Sequence, residues 1–221
     1  MYAMIGTRPD LSYAVSLLSR FCEAPRVAHW NAVKRVFQYL NGTRSHGICY
    51  GARSSSSQTQ VGELSCFVDS DYASDVDTRR SVTGYVLNYF YGPIVWKSTK
   101  QATVATSTTE AEFVAASQAT KDVIWARQLL TEIGQPQRAP TPIFIDNQGA
   151  IKLIVNNQIH SKSKHIDVKF MFIREANENK DIVPKYIQTD SQLADIFTKA
   201  LPREKFIKLR QALVVSTPSS L

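Results

Sequence analysis

Acidic residues usually lie on solvated faces, so an acid at a position that periodicity marks as apolar asks for a chemical reason. Four carboxylates in this sequence raise the question: Asp69, Glu112, Asp146 and Asp195. Asp69 falls inside the alternating run 63–70, where Phe67, Asp69 and Asp71 share one face because strand side chains alternate. Aspartate is disfavoured in a strand interior, whereas Asp71 begins Asp71-Tyr72-Ala73-Ser74-Asp75, which reads as strand exit. Glu112 extends backwards, by one four-residue step, the stripe Ala116, Ala119, Val123, Ala126, Leu130, Ile133 of a long helix. A carboxylate on a core-facing stripe is costly unless it is paired or binds a metal. Glu110 lies toward the flank of the same helix and suits a cap near its N-terminus. Asp146 closes the apolar strand Ile143–Ile145 at the strand end that normally faces ligand in an open α/β sheet. Its position suits equally a simple cap of the next helix, a role that Asp146 or Asn147 could fill. Asp195 flanks the stripe Leu193, Ile196, Phe197, Ala200 and can reach a shared site.

A strand, a long helix, a strand end and a late helix can together hold two divalent cations about 3.5–4 Å apart and support in-line phosphoryl displacement. Oxygen ligands suit Mg²⁺ or Mn²⁺. Cys22, Cys49 and Cys66, with four histidines, show no zinc or disulfide spacing; they read as reduced, core-type thiols.

The elements that must position these acids follow from pattern. Residues 8–21 carry apolar positions at helical period, with Pro9 in a first turn and Thr7 as cap. A second helix is expected over 29–40, with Trp30, Val33, Phe37 and Leu40 on one side and Gly42 as its stop. Two such helices cannot bury their stripes on each other alone. After the polar stretch 52–60 three strands are expected, 63–70, 82–90 and 94–98, with Gly92-Pro93 as a turn. A helix over 107–133 follows, ended by Gly134 and Pro136. Then come strand 143–145, helices 147–155 and 165–176, strand 182–188 and helices 191–200 and 203–213 before a Ser/Thr/Pro tail. This order is α/β with a mixed sheet.

Length and composition bound the rest. A chain of 221 residues buries roughly 70% of its extended surface, and 43% hydrophobic residues exclude disorder as its general state. No apolar run approaches the roughly 18 residues of a membrane span, so a soluble protein without a membrane partner is expected. The net charge of +7 suggests a polyanionic partner. Residues 1–60 hold seven Lys/Arg against two Asp/Glu, and the remainder nineteen against seventeen. The basic excess is therefore at the front.

The segments FVDSDYASDVDTRRSVTGYV (67–86), TSTTEAEFVAAS (106–117), IFIDNQGAIKL (143–153), SKHIDVKFMFIRE (163–175) and LADIFTKALP (193–202) resemble the ribonuclease H domain at the C-terminal end of copia-type retrotransposon Pol polyproteins. TRPDLSYAV (7–15) and HWNAVKRVFQYLNGT (29–43) resemble the segment that joins the reverse transcriptase to that domain. The resemblance covers nearly the whole chain. It implies a ribonuclease H-like mixed five-stranded sheet flanked by helices, with an N-terminal helical appendage. The implied divisions are a connection remnant at 1–51, a linker at 52–61, the ribonuclease H-like domain at 62–201 and a C-terminal helix and tail at 202–221. The implied activity is hydrolysis of the RNA strand of RNA/DNA hybrids, with Asp69, Glu112, Asp146 and Asp195 as catalytic acids and ligands of two Mg²⁺ or Mn²⁺ ions. The hybrid is the implied partner, beside an upstream reverse transcriptase part absent from this chain. The implied location is intracellular: cytoplasm, virus-like particle or nucleus.

Lys97, Lys100, Lys162, Lys164 and His165 are candidates for nucleic-acid contacts, with a solvated surface role the simpler reading for each lysine. Cellular relatives of the fold carry a histidine in the loop before the last acid. Here that loop is Gln188-Thr189-Asp190-Ser191-Gln192, and His165 is either its substitute or a structural residue at a helix entry. Two other readings stand beside the active nuclease. One is a catalytically silent or domesticated fragment that binds nucleic acid. The other is an integrase-like nuclease, disfavoured because the last acid is an Asp on a late helix.

Overall fold

The front of the chain is helical. It contains α1 (Tyr2–Gly6), a 3₁₀ turn (Pro9–Leu11), α2 (Ser12–Ser19), α3 (Val27–Gly42) and a two-residue strand β1 (Gly47–Ile48). This is a computed structural model, and it describes residues 1–50, 62–90, 92–156 and 164–217, with 164–167 as backbone only. The expected linker at 52–61 lies outside the described residues. The helix expected over 8–21 forms with Pro9 in its first turn, which is 3₁₀ and runs directly into α2. It stops at Ser19, and Arg8 caps it while Thr7 ends α1. The buried guanidinium of Arg8 grips Asp10 through both carboxylate oxygens at 3.0 and 2.8 Å. It also reaches the carbonyl and hydroxyl of Thr43 beyond the end of α3. No residue of α3 is buried, and Trp30 and Phe37 are 58% and 64% exposed.

The expected sheet forms from β2 (Ser65–Asp71), β3 (Val82–Tyr89), β4 (Gly92–Lys100), β5 (Thr141–Ile145) and β6 (Ile182–Tyr186). Its spatial order is β4-β3-β2-β5-β6. The first three strands are antiparallel, while β5 runs parallel to both β2 and β6. The chain is thus α/β with a mixed five-stranded sheet, as the order of elements predicts. Gly92-Pro93 is not the turn, since the two residues pair across to Tyr89 and Asn88. Phe90 instead takes the left-handed conformation, with φ 46°. Pro93 is tolerated because it sits beside the register shift at Leu87/Asn88 on an edge strand.

Two layers of helices cover the sheet. On one face α4 (Thr108–Glu132), α5 (Gln148–Val155) and α6 (Lys164–Glu178) close a core that includes Val68, Tyr85, Phe113, Val123, Ile143 and Ile173. On the other, α7 (Asp195–Thr198) and α8 (Arg203–Ala212) pack Ile196, Phe197, Leu209 and Leu213 against Val86 and Phe67. The predicted stripe of α4 is buried as far as Leu130, and only Ile133 is exposed. The helix expected over 191–200 is shorter, a 3₁₀ turn at Thr189–Ser191 followed by the single turn of α7. The chain past α8 adds β7 (Val215–Ser216), which pairs antiparallel with β1. The three cysteines are free, but only Cys66 is a core thiol, and Cys22 is exposed. No helix among the described residues is long and apolar enough to cross a membrane.

Candidate metal centre

Because β2 and β5 are parallel neighbours, their carboxyl ends reach the same edge of the sheet, one with Asp69 and the other with Asp146. α4 crosses behind that edge and delivers Glu112 in its second turn. The three carboxylates each offer a ligand oxygen, and these oxygens lie within 4.8 Å of one another. Asp69 and Glu112 are buried and Asp146 half-buried.

Each acid is held by a neighbour. The backbone N–H of Ser70 donates to Glu112 Oε1 at 2.9 Å. The Thr189 hydroxyl donates to Asp146 Oδ2 at 3.0 Å, and the Thr198 hydroxyl donates to Asp69 Oδ2. Glu112 Oε2 is buried with no hydrogen-bond partner. Burial pushes the Glu112 carboxyl well above its ordinary range, with Asp69 and Asp146 adding repulsion. Burial likewise pushes Asp69 up to about 6, against the opposing pull of Lys199 and the Thr198 hydrogen bond. Buried carboxylates that crowd together, one with an unsatisfied oxygen, are a donor set short of positive charge. Hard oxygen donors of this kind fit a divalent cation such as Mg²⁺ or Mn²⁺.

Two alternatives left open by the sequence separate here. Asn147, not Asp146, caps α5, its side chain accepting from the Ala150 N–H at 3.1 Å, so Asp146 is free to face the site. Ser107 caps α4 by accepting from the Glu110 N–H at 3.1 Å, and Glu110 turns back to accept from the Thr106 N–H at 2.9 Å. Glu110 is thereby committed to the helix start.

Asp195 is buried at the start of α7, beside the group of three. Its oxygens face two lysines, Lys199 Nζ at 2.7 Å from Oδ1 and Lys205 Nζ at 2.6 Å from Oδ2. These contacts are close ion pairs without the direction of hydrogen bonds, and neither carboxylate oxygen accepts one. Lys199 also lies 3.5 Å from Asp69 Oδ2, which links Asp195 to the triad.

Four positions not singled out in the sequence build the frame. Gly84 of β3 pairs with Asp69, and a Cβ there would lie 2.5 Å from Thr198 Cγ2 and 2.7 Å from Phe197 Cβ. Only glycine lets α7 come so close, and a lone glycine inside a strand pattern is the signal that was available. Buried Gln192 donates to the carbonyls of Val68 and Phe144 at 2.8 and 3.4 Å, tying β2 to β5 just before their acids. Buried Gln101 donates to Thr83 Oγ1 and to the Ala111 carbonyl, both at 3.0 Å, fixing the start of α4 on the sheet. Lys199, four residues after Asp195, was legible as an i,i+4 pair.

The basic candidates are scattered. Lys97 is exposed on β4, while Lys100 lies 3.4 Å from Asp75. Lys162 lies outside the described residues. Lys164 and His165 stand in the first turn of α6, their side chains outside the description.

No protein-family model matches the chain. It is 41% identical over 206 residues to the retrovirus-related Pol polyprotein from transposon TNT 1-94 of Nicotiana tabacum, covering 93% of this chain and 15% of that protein. It is 39% identical over 215 residues to the corresponding polyprotein from transposon RE2 of Arabidopsis thaliana, covering 97% of this chain and 14% of that one. The chain therefore spans about a seventh of the length of these relatives. Among solved structures it is similar to LC11-RNase H1 in complex with RNA/DNA hybrid, at 14% identity and a TM-score of 0.45, over 62% of this chain and 94% of that one.

Proposed function

The chain belongs to the retrovirus-related Pol polyproteins of copia-type transposons, and from that premise we propose that it is their ribonuclease H part, a metal-dependent endonuclease that hydrolyses the RNA strand of RNA/DNA hybrids. One observation carries the reading. Asp69, Glu112 and Asp146 converge from three elements while Glu112 Oε2 is left buried without a partner.

In this reading Asp69, Glu112, Asp146 and Asp195 hold two Mg²⁺ or Mn²⁺ ions. Bound ions of that kind supply the Lewis acidity that activates a water and offsets charge on the leaving oxygen. The chain's part is to aim the acids. The Ser70 N–H orients Glu112, the Thr189 hydroxyl orients Asp146 and the Thr198 hydroxyl orients Asp69. Water adds to the scissile phosphorus, the bond to the 3′ oxygen breaks, and the products carry a 5′ phosphate and a 3′ hydroxyl. Duplex shape and 2′-hydroxyl contacts select the hybrid. Lys97, Lys100, Lys162, Lys164 and His165 are proposed to lie along its backbone. The connection remnant at 1–51, the linker and the domain that follows are proposed to sit after an upstream reverse transcriptase part, inside the cell.

One observation favours the alternative of a silent fragment that only binds nucleic acid: both oxygens of Asp195 are already engaged by lysines. Incubating the protein with a labelled RNA/DNA hybrid and Mg²⁺ beside Asp69→Asn separates the two. Cleavage by the wild type that falls at least about a hundredfold in the variant is expected. No cleavage by the wild type, or equal cleavage by both, excludes the nuclease.

A further inference from the structure

The metal centre has two unlike halves. On the side of Glu112 and Asp146 no lysine or arginine approaches the carboxylates as an ion pair among the described residues, and one carboxylate oxygen has no partner. On the side of Asp195 the charge is already met. Lys199 Nζ stands between Asp195 Oδ1 at 2.7 Å and Asp69 Oδ2 at 3.5 Å, and Lys205 takes the other oxygen of Asp195 at 2.6 Å. Asp69 belongs to both halves.

We propose that the Lys199 ammonium is the resident counter-ion of the Asp69–Asp195 half, so that a divalent cation enters that half only by displacing it and the two ions load in sequence. This rests on the metal-centre reading above and adds to it an order of binding and a residue responsible for that order.

The placement suits displacement. Asp195 is fully buried, whereas the Lys199 side chain is 34% exposed, so its ammonium can withdraw to water without opening the core. Lys199 is also where α7 ends and the backbone turns extended, with φ −145° and ψ 159°. Its side chain is therefore not locked into a helix. Lys205 comes from α8 and contacts only the far oxygen of Asp195, so that acid keeps a counter-ion after Lys199 leaves. Two other charged groups sense Lys199 at longer range: Asp71, half-buried at the end of β2, and Glu112, which makes no ion pair with it. The first ion meets uncompensated carboxylates, while the second must break a charge-assisted contact. The attraction of a part-buried ion pair is enough to weaken the second step by roughly tenfold to a hundredfold.

Calorimetric titration of the full chain with Mn²⁺ tests this, using wild type, Lys199→Ala, Lys199→Gln, Lys199→Arg and Asp146→Asn. The expected wild-type result is one tight ion and a second at least about tenfold weaker. Lys199→Ala should strengthen the second step toward the first, and Lys199→Arg should preserve the gap. Lys199→Gln, which keeps most of the side chain, replaces the alanine variant if that one fails to fold. The metal-free neutral variants should also melt below the wild type and recover on addition of Mn²⁺, a readout independent of activity. Two equal steps in the wild type, or a second step unmoved by loss of the ammonium, overturn the proposal while leaving the metal centre intact. No tight step in the wild type, or a first step unchanged in Asp146→Asn, overturns the metal centre and the proposal with it.

Discussion

Glu112 shows how far a single residue can be read before folding is considered. Its position on the apolar stripe of α4 marks it as costly, and burial beside Asp69 and Asp146 makes it so. Between the ordinary carboxylate value of about 4 and the raised value of about 6 for Asp69, the Asp69 and Glu112 carboxyls hold more protons in the folded metal-free chain than in the unfolded one. Stability from these groups must therefore fall as pH rises through that window. Melting temperatures of wild type minus those of Asp69→Asn, in chelator, should slope downward from about pH 4 to about pH 6. Saturating Mn²⁺ should reverse the slope, because the cation selects the ionised carboxylates. The difference is needed because Asp75 has the opposite sign. Hydrogen bonds from Thr78, together with Lys100, hold its carboxyl below the ordinary range, so its contribution is lost as pH falls. Asp146 was not decidable at this scale, since its sequence position suits a helix cap as well as a ligand. Asn147 takes the cap by accepting from the Ala150 N–H, which leaves the Asp146 carboxylate beside Asp69 and Glu112.

Elements bring these residues together through a few close approaches. Gly84→Ala would place a methyl group 2.5 Å from Thr198 Cγ2, and α7 would have to back away. A loss of about 1–3 kcal/mol in urea denaturation is expected, with a weaker pairing of Lys199 to Asp69. Ser107→Ala removes the cap of α4, one turn before Glu112, and should cost about 1 kcal/mol by the same measurement. Gln192→Leu leaves the Val68 and Phe144 carbonyls without their donor in a buried place, and about 1–3 kcal/mol is expected. The long helix and the strands were legible because their periodicity is sustained. The bounds of the late helix were not. Its run of Leu193, Ala194, Ile196 and Phe197 is buried between β3 and α8, and burial on all sides leaves no polar face to mark where a helix begins.

For the whole molecule, the front and the end of the chain are one assembly. β1 pairs with β7, the Tyr39 hydroxyl donates to Asp10 at 2.5 Å, and Arg210 of α8 donates to that hydroxyl at 3.2 Å. Trp96 of β4 donates to the Met4 carbonyl at 2.7 Å, and Arg20 pairs with Asp75 at 3.1 Å. The basic excess of the first sixty residues is thus partly internal, since Arg8 and Arg20 are spent on ion pairs within the fold. Arg8→Ala would leave Asp10 buried without its cation, and a loss of about 3–5 kcal/mol is expected on urea unfolding. Hydrogen exchange of the Cys49 amide, which donates to the Val214 carbonyl at 3.0 Å beside β7, should rise in the same variant.

The sequence by itself determined the alternation of strands and helices, the α/β class and the acids worth attention. Those follow from local periodicity and from the cost of placing a charge on an apolar stripe. Only the tertiary structure decided which acids meet, because β2, α4 and β5 are distant along the chain and share an edge only once the parallel pairing forms. It also decided that Asp195 faces Lys199 and Lys205. A buried carboxylate takes whatever positive charge the neighbouring elements bring, and only Lys199, one helical turn away, was within reach of the local pattern.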